Sequence, residues 1–141
     1  MTIYADSSFV VSLYVTDSHS VSSRQRVQTV SRVWWTPLHG AEWAHAVAQH
    51  VFRGSLSLDE EQEVYCQLKD DKLGALWRET QMPENAFDLC ADLARRYGPR
   101  LGVRTLDSLH VACALELKAE RFWTFDERQA KLAKAEGLKT S

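Results

Sequence analysis

The chain has 141 residues, 45% hydrophobic and 26% charged, with 17 Lys and Arg against 19 Asp and Glu, a net charge of −2 and a pI near 6.2. That length fits a single domain, 1–141, which buries roughly 68–70% of its unfolded surface and so holds a core without covalent staples. A slightly acidic balance excludes a protein that coats nucleic acid by bulk charge, and no stretch approaches the roughly 18 apolar residues of a membrane span.

Residues 2–5 (TIYA) form a strand candidate that runs directly into Asp6. After it Ser7 or Ser8 can cap a helix carrying Phe9, Val10, Leu13 and Tyr14 on one face. The polar segment DSHSVSSRQRVQTVSRV reads as a loop and a weakly amphipathic helix. Residues 34–36 are the second strand, closed by Pro37. The stripe Ala44, Val47, Ala48, Val51 then predicts a helix from near His39 to just before Gly54, with Glu42 in its opening turn. Ser57 and Glu60 make a capping box for a helix carrying Val64, Tyr65 and Leu68. Residues 73–78 (LGALWR) are predicted as the third strand. Pro83 opens a helix with Phe87, Cys90, Ala91, Leu93 and Ala94 facing inward, and Gly98-Pro99 stops it. Residues 106–117 are apolar nearly all round and predicted buried, with Asp107 in the first turn. Residues 122–125 are an aromatic strand, and Asp126 follows it, ahead of a helix marked by Leu132, Ala133 and Ala135 that ends at Gly137. Residues 138–140 are a last edge strand. Helices alternate with about five short strands, the pattern of an α/β fold with a mainly parallel sheet covered on both faces.

Cys66, Cys90 and Cys113 are odd in number, far apart and set in apolar helical patterns, which predicts buried free thiols in a reducing compartment. The opening MTIYADSS has no basic run ahead of a long apolar stretch, so the expected location is the cytoplasm, away from membranes. Arg95, Arg96, Arg100 and Arg104 form a basic cluster that leads to Asp107. Two fates are open to it: solvation of a helix end, or contact with phosphate.

Four acids stand at equivalent places. Asp6, Glu42 and Asp126 each follow a strand candidate, and Asp107 opens the helix that feeds the strand before Asp126. Taken singly, Asp126 with Gln129 resembles a capping box, and Asp107 suits a helix dipole. Taken together, they lie where an open parallel sheet gathers its ligand-binding loops. Two carboxylates about 5 Å apart repel by roughly 3 kcal/mol at an effective dielectric near 20, so such a cluster calls for a cation. Hard oxygen donors select Mg²⁺ or Mn²⁺, ions that activate water and hold phosphoryl oxygens. Phosphodiester hydrolysis is the chemistry this predicts.

Rival chemistries lack their parts. Glu42 and His45 have the E-x-x-H spacing of di-iron bundles, but no second copy exists. G-x-S-x-G and the phosphate-binding glycine loop are absent. His110, three residues after Asp107, reads as a core histidine, His19, His39 and His50 carry no pattern, and the five tryptophans read mostly as packing.

On IYADSSFVVSLY, HGAEWAHAV, FRGSLSLDEE and RTLDSLHVACALELKAERFWTFDERQAKLAKAEGL, the chain resembles the PIN-domain ribonucleases, and among them the VapC-type toxins of toxin–antitoxin pairs. The resemblance covers nearly the whole length, with the Glu42 region, entered through Thr36-Pro37-Leu38-His39, matching less closely. It implies an α/β/α sandwich and a Mg²⁺-dependent endoribonuclease, Mn²⁺ being the other candidate. Asp6, Glu42, Asp107 and Asp126 would be its catalytic and metal-binding acids, supported by the hydroxyls of Ser8 and Thr124, with Arg100 and Arg104 on the RNA. It also implies an antitoxin partner and a homodimer. A non-toxin PIN nuclease, a strand-end phosphatase and a non-catalytic RNA- or protein-binding domain are the alternatives.

Overall fold

A computed structural model describes residues 1–140. In chain order the elements are β1 (Ile3–Ala5), α1 (Ser7–Ser12), α2 (Ser20–Val27), β2 (Val33–Trp35), α3 (Pro37–Phe52), α4 (Leu58–Leu73), β3 (Trp77–Glu79), α5 (Ala86–Leu101), α6 (Thr105–Glu116), β4 (Arg121–Trp123) and α7 (Glu127–Ala135). They fall into two compact units, one of residues 1–6 with those from Gln81 onward, the other of Ser7–Thr80. Among the described residues no helix is long and apolar enough to cross a membrane.

In the first unit, β1 pairs in parallel with β4, Tyr4 lying opposite Phe122 and Ala5 opposite Trp123. All three residues of β1 are buried, as a parallel strand covered on both faces requires. The Tyr4 and Phe122 rings stack at 5.6 Å. Helix α6 is buried continuously from Ser108 to Ala114, as its all-round apolar character predicts, but Leu106 in its first turn is 47% exposed. The expected fifth strand is a single bridge, Lys139 to Arg121. Gly137, at φ 91°, turns the chain out of α7 and leaves only Lys139 in register, so the strands number four.

Helix α5 departs from its sequence signals at both ends. The Pro83 carbonyl accepts the Ala86 N–H (3.1 Å) in a preceding turn, so the helix begins at Ala86. It also passes through Pro99, two residues before its last, even though a proline there forfeits one backbone hydrogen bond and crowds the carbonyl of Arg95 four residues back. Gly102 ends it in the left-handed region at φ 65°, its N–H donating to Gly98 O (2.8 Å), a conformation that glycine adopts without steric cost.

In the second unit, β2 pairs in parallel with β3, Val33 opposite Trp77 and Trp35 opposite Glu79. The buried Tyr14 hydroxyl donates to Asp71 Oδ2 (2.5 Å) and accepts from Trp77 Nε1 (2.8 Å), and burial raises its pKa above the usual tyrosine value. Three boundaries move. Ser7 and Ser8 lie inside α1, not before it. Thr36 is an N-cap, not a strand residue: its Oγ1 accepts the His39 N–H, and Pro37 occupies a first helical position with its φ already set. Helix α4 has the predicted Ser57/Glu60 capping box but runs to Leu73, so LGALWR is a helix end and a turn through Ala75 at φ 62°, leaving Trp77 onward as strand. All three cysteines are free, with Cys90 and Cys113 buried as expected and Cys66 exposed. Burial raises both buried thiols, Cys113 to about 11.

Helices α5 and α7 are joined by one ionic cluster. Arg96 grips Glu136 with Nη1 (3.0 Å) and Nη2 (2.9 Å), the Tyr97 hydroxyl donates to the same carboxylate (2.7 Å), and Arg96 Nε reaches Asp92 (2.9 Å). The Arg96 hydrogen bonds hold Glu136 below the usual carboxylate pKa, with Tyr97 adding to the effect. A depressed carboxylate stabilises above its unfolded value and loses that contribution as pH falls through the folded one. Glu136→Gln is therefore expected to lower Tm by about 2 °C at pH 7, with the gap from wild type closing below about pH 4.3, the ordinary glutamate value, as read by melting curves across pH.

Candidate active site

Three of the four sequence-predicted acids lie in the first unit, in one hydrogen-bonded group. Asp6 follows β1 and extends its pairing by one step, its N–H donating to Trp123 O (3.0 Å). The side chain is 6% exposed. Because the next strand over ends at the same level, Thr124 arrives beside it and donates its hydroxyl to Asp6 Oδ2 (2.9 Å). That hydroxyl oxygen also accepts the Asp126 N–H (3.0 Å) and lies 2.7 Å from Gln129 Oε1. Asp126, exposed at the N-cap of α7, accepts the Gln129 N–H on Oδ1 (2.8 Å). Gln129 Nε2 donates to the main-chain carbonyl of Asp107 (3.2 Å), whose partly buried side chain lies in the first turn of α6.

The fourth acid, Glu42, lies in the second unit. Helix α3 begins at Pro37, so Glu42 is in the second turn and not the opening one. Its Oε1 accepts the hydroxyl of Ser7 (2.7 Å), and Ser7 is nearly buried. Ser7, Ser8, Val11, Asp17, Glu42 and Ala46 line a hollow of about 260 Å³. Asp17, which sequence reasoning passed over, has a local duty as well: Oδ1 accepts the His19 N–H (2.7 Å) ahead of α2.

Two residues carry more than their sequence patterns suggested. His39 acts as the acidic or amide partner of a capping box would, its Nδ1 accepting the Thr36 N–H (3.0 Å) while the ring lies against Trp35. The signal was a Thr three residues ahead with Pro between, a pattern that equally suits a strand end. Gln129, seen only as half of a D-x-x-Q box, reaches α6 instead. By contrast, His110 is the core histidine expected, 3% exposed, with Nδ1 2.7 Å from the Tyr4 hydroxyl. His45 faces solvent and the carbonyl of Ala41 (2.9 Å), away from di-iron chemistry. Of the basic cluster, Arg96 is committed to Glu136 and Asp92, whereas Arg100 lies over the Tyr97 ring (5.5 Å) and Arg104 is exposed at the N-cap of α6 without capping it. Trp35, Trp43, Trp77 and Trp123 are buried; Trp34 is partly exposed with Arg78 stacked on it at 4.2 Å.

Among the described residues, no three His, Cys, Asp or Glu side chains form a ready-made metal cage. The donor chemistry still fits a hard divalent cation. Asp6, Asp107, Asp126 and Glu42 offer only carboxylate oxygen, and Mg²⁺ is commonly held through one or two carboxylates while keeping much of its water.

The sequence matches the PIN domain family over residues 3–135. No curated protein matches it. Crystal structures with a similar fold include FitAcB from Neisseria gonorrhoeae, with TM-score 0.72 and 16% identity over 98% of this chain and 95% of that one. VapC20 from Mycobacterium tuberculosis, a sarcin–ricin loop cleaving toxin, gives 0.68 and 13% over 92% and 93%. VapBC2 from Rickettsia felis, bound to a DNA fragment from their promoter, gives 0.68 and 16% over 100% and 98%. At such identities the likeness establishes the fold.

The assignment of His110 to the core carries its own test. Tyr4→Phe removes a buried hydroxyl from His110 Nδ1 and is expected to cost about 1–3 kcal/mol in denaturant unfolding, while divalent-cation binding by the folded variant stays as in wild type.

Proposed function

This chain belongs to the PIN-domain family, and on that premise we propose that it is a metal-dependent endoribonuclease, the toxin of a type II toxin–antitoxin pair, acting as a single domain. The observation that carries the proposal is the buried Asp6 at the carboxyl end of β1, linked through Thr124 to the Asp126 cap and through Gln129 to the start of α6. A carboxylate taken out of water is costly unless paired or coordinated. A protein with only structural ends to serve has little reason to bury one at a strand end among further acids.

In this reading Asp6, Asp107 and Asp126 hold Mg²⁺, or Mn²⁺, and Glu42 is the fourth metal-binding acid that the family resemblance implies, steadied by the hydroxyl of Ser7. When bound, such an ion lowers the pKa of coordinated water and neutralises charge developing on phosphoryl oxygens. The chain's own residues set the geometry. Thr124 orients the Asp6 carboxylate. The N-cap hydrogen bond fixes Asp126. Arg100 and Arg104 contact the RNA backbone, for which guanidinium groups give bidentate phosphate contacts. The described cleavage of the sarcin–ricin loop by VapC20 suggests a structured RNA as substrate, and VapBC2 suggests an antitoxin partner. A homodimer in the cytoplasm completes the proposal.

Asp6→Asn is expected to reduce RNA cleavage by about 100-fold or more and to abolish the calorimetric heat of Mg²⁺ or Mn²⁺ binding, with a nearly unchanged melting curve. Wild-type cleavage by that variant would overturn the assignment, and a wild-type protein that binds RNA with no use for a divalent ion would favour the non-catalytic reading. Arg100→Ala with Arg104→Ala should raise KM and leave kcat close to wild type, flattening the dependence of log KM on log salt by about 0.7 for each phosphate left unneutralised. An unchanged salt slope would remove the arginines from the RNA interface.

A further inference from the structure

Gln129 is fully buried, and a buried amide is costly unless its polar atoms are matched. Its orientation is settled by chemistry. The main-chain carbonyl of Asp107 can only accept, so the amide nitrogen faces it (3.2 Å) and the amide oxygen faces the Thr124 hydroxyl (2.7 Å). In a plain capping box the side chain at this position would return to the N–H of the cap residue. Here the Thr124 hydroxyl takes the Asp126 N–H, which releases the Gln129 side chain to reach α6. Helix capping by itself does not account for that departure.

One residue therefore touches the supports of three acids. Its main-chain N–H fixes the Asp126 carboxylate (2.8 Å). Its amide nitrogen holds the Asp107 main chain at the start of α6. Its amide oxygen competes with Asp6 Oδ2 for the single proton of Thr124, and so governs how that hydroxyl is turned toward Asp6. We propose that Gln129 is the positioning residue of the acidic site, registering Asp6, Asp107 and Asp126 to one another through hydrogen bonds without itself meeting metal or substrate. This rests on the acids being a cation site, as set out above.

The test uses the full chain and Mn²⁺ calorimetry, with melting curves and circular dichroism alongside. Gln129→Met, similar in volume and lacking both hydrogen bonds, is expected to keep the fold and weaken Mn²⁺ binding about 10–100-fold, the usual effect of removing a group that orients a ligand. Thr124→Val breaks the same relay at its other end, so the double variant should bind no more weakly than the poorer single one, since residues acting through one path are not additive. A merely structural glutamine would lower Tm and leave Mn²⁺ affinity alone; that result, or losses that multiply in the double variant, overturns the proposal. If the Met variant does not fold, Gln129→Asn decides by the same criterion, because it keeps an amide one methylene too short to span both partners. Asp6→Asn, measured in parallel, separates two failures. If it binds Mn²⁺ as wild type does, the cation site and this proposal fall together; if it does not bind while the Gln129 variants bind normally, only the role of Gln129 falls.

Discussion

The pairing of β1 with β4 is the constraint on which the acidic group depends. Two strands of three residues each bring Asp6 and Thr124 together across 118 positions of sequence, and the ladder continues one step past the strand through the Asp6 N–H. A parallel pair must be joined by a long crossover. Everything between the two strands, the second unit included, is in that sense a connection whose ends the ladder closes. Short strands hold because they are buried on both faces, with Tyr4 stacked on Phe122 and its hydroxyl on His110.

Acid placement then follows from where each strand stops and the next helix starts. Asp6 and Asp126 both sit at a strand-to-helix junction, where the exposed Asp126 carboxylate also serves a helix N-terminus while the buried Asp6 is held by Thr124. That double use explains why Asp126 caps α7 and still belongs to a hydrogen-bonded chain reaching Asp6. Glu42 is organised differently. It projects from the second turn of a helix whose start is set by Thr36, Pro37 and His39, and its visible partner is a serine hydroxyl. The arginines divide in the same manner: one is spent on the α5–α7 ion cluster, while Arg100 and Arg104 stay at the surface near the start of α6.

Much of the fold was legible in the amino-acid order because local chemistry and tertiary need agreed. The helix of α3, the Ser57/Glu60 box of α4, the buried character of α6 and a strand just before Asp126 all appear in the structure. However, α3 buries His39, Trp43 and Val47 and leaves Ala48 exposed, and the strand spans Arg121–Trp123 in place of 122–125. The misses share a cause. Pro83 and Thr36-Pro37 are ambiguous punctuation, since proline suits a preceding turn, the first turn of a helix and the exit of a strand alike, and only the packing around it selects one. Pro99, by contrast, is carried inside α5 against its local preference. The apolar residues of LGALWR suggest a strand, yet Leu73 ends a helix and Ala75 takes a left-handed turn before three residues of β3.

Sequence by itself determined that acids follow the strands, that the chain alternates helices with short parallel strands, and that a core forms without disulfides, because periodicity, caps and charge are properties of neighbours along the chain. Only the tertiary structure decided that Gln129 leaves its capping box to hold the Asp107 carbonyl and that Arg96 is withdrawn into an ion pair with Glu136. Each of those depends on which distant group arrives within about 3 Å, the reach of a hydrogen bond, and no spacing of residues along a chain encodes that distance.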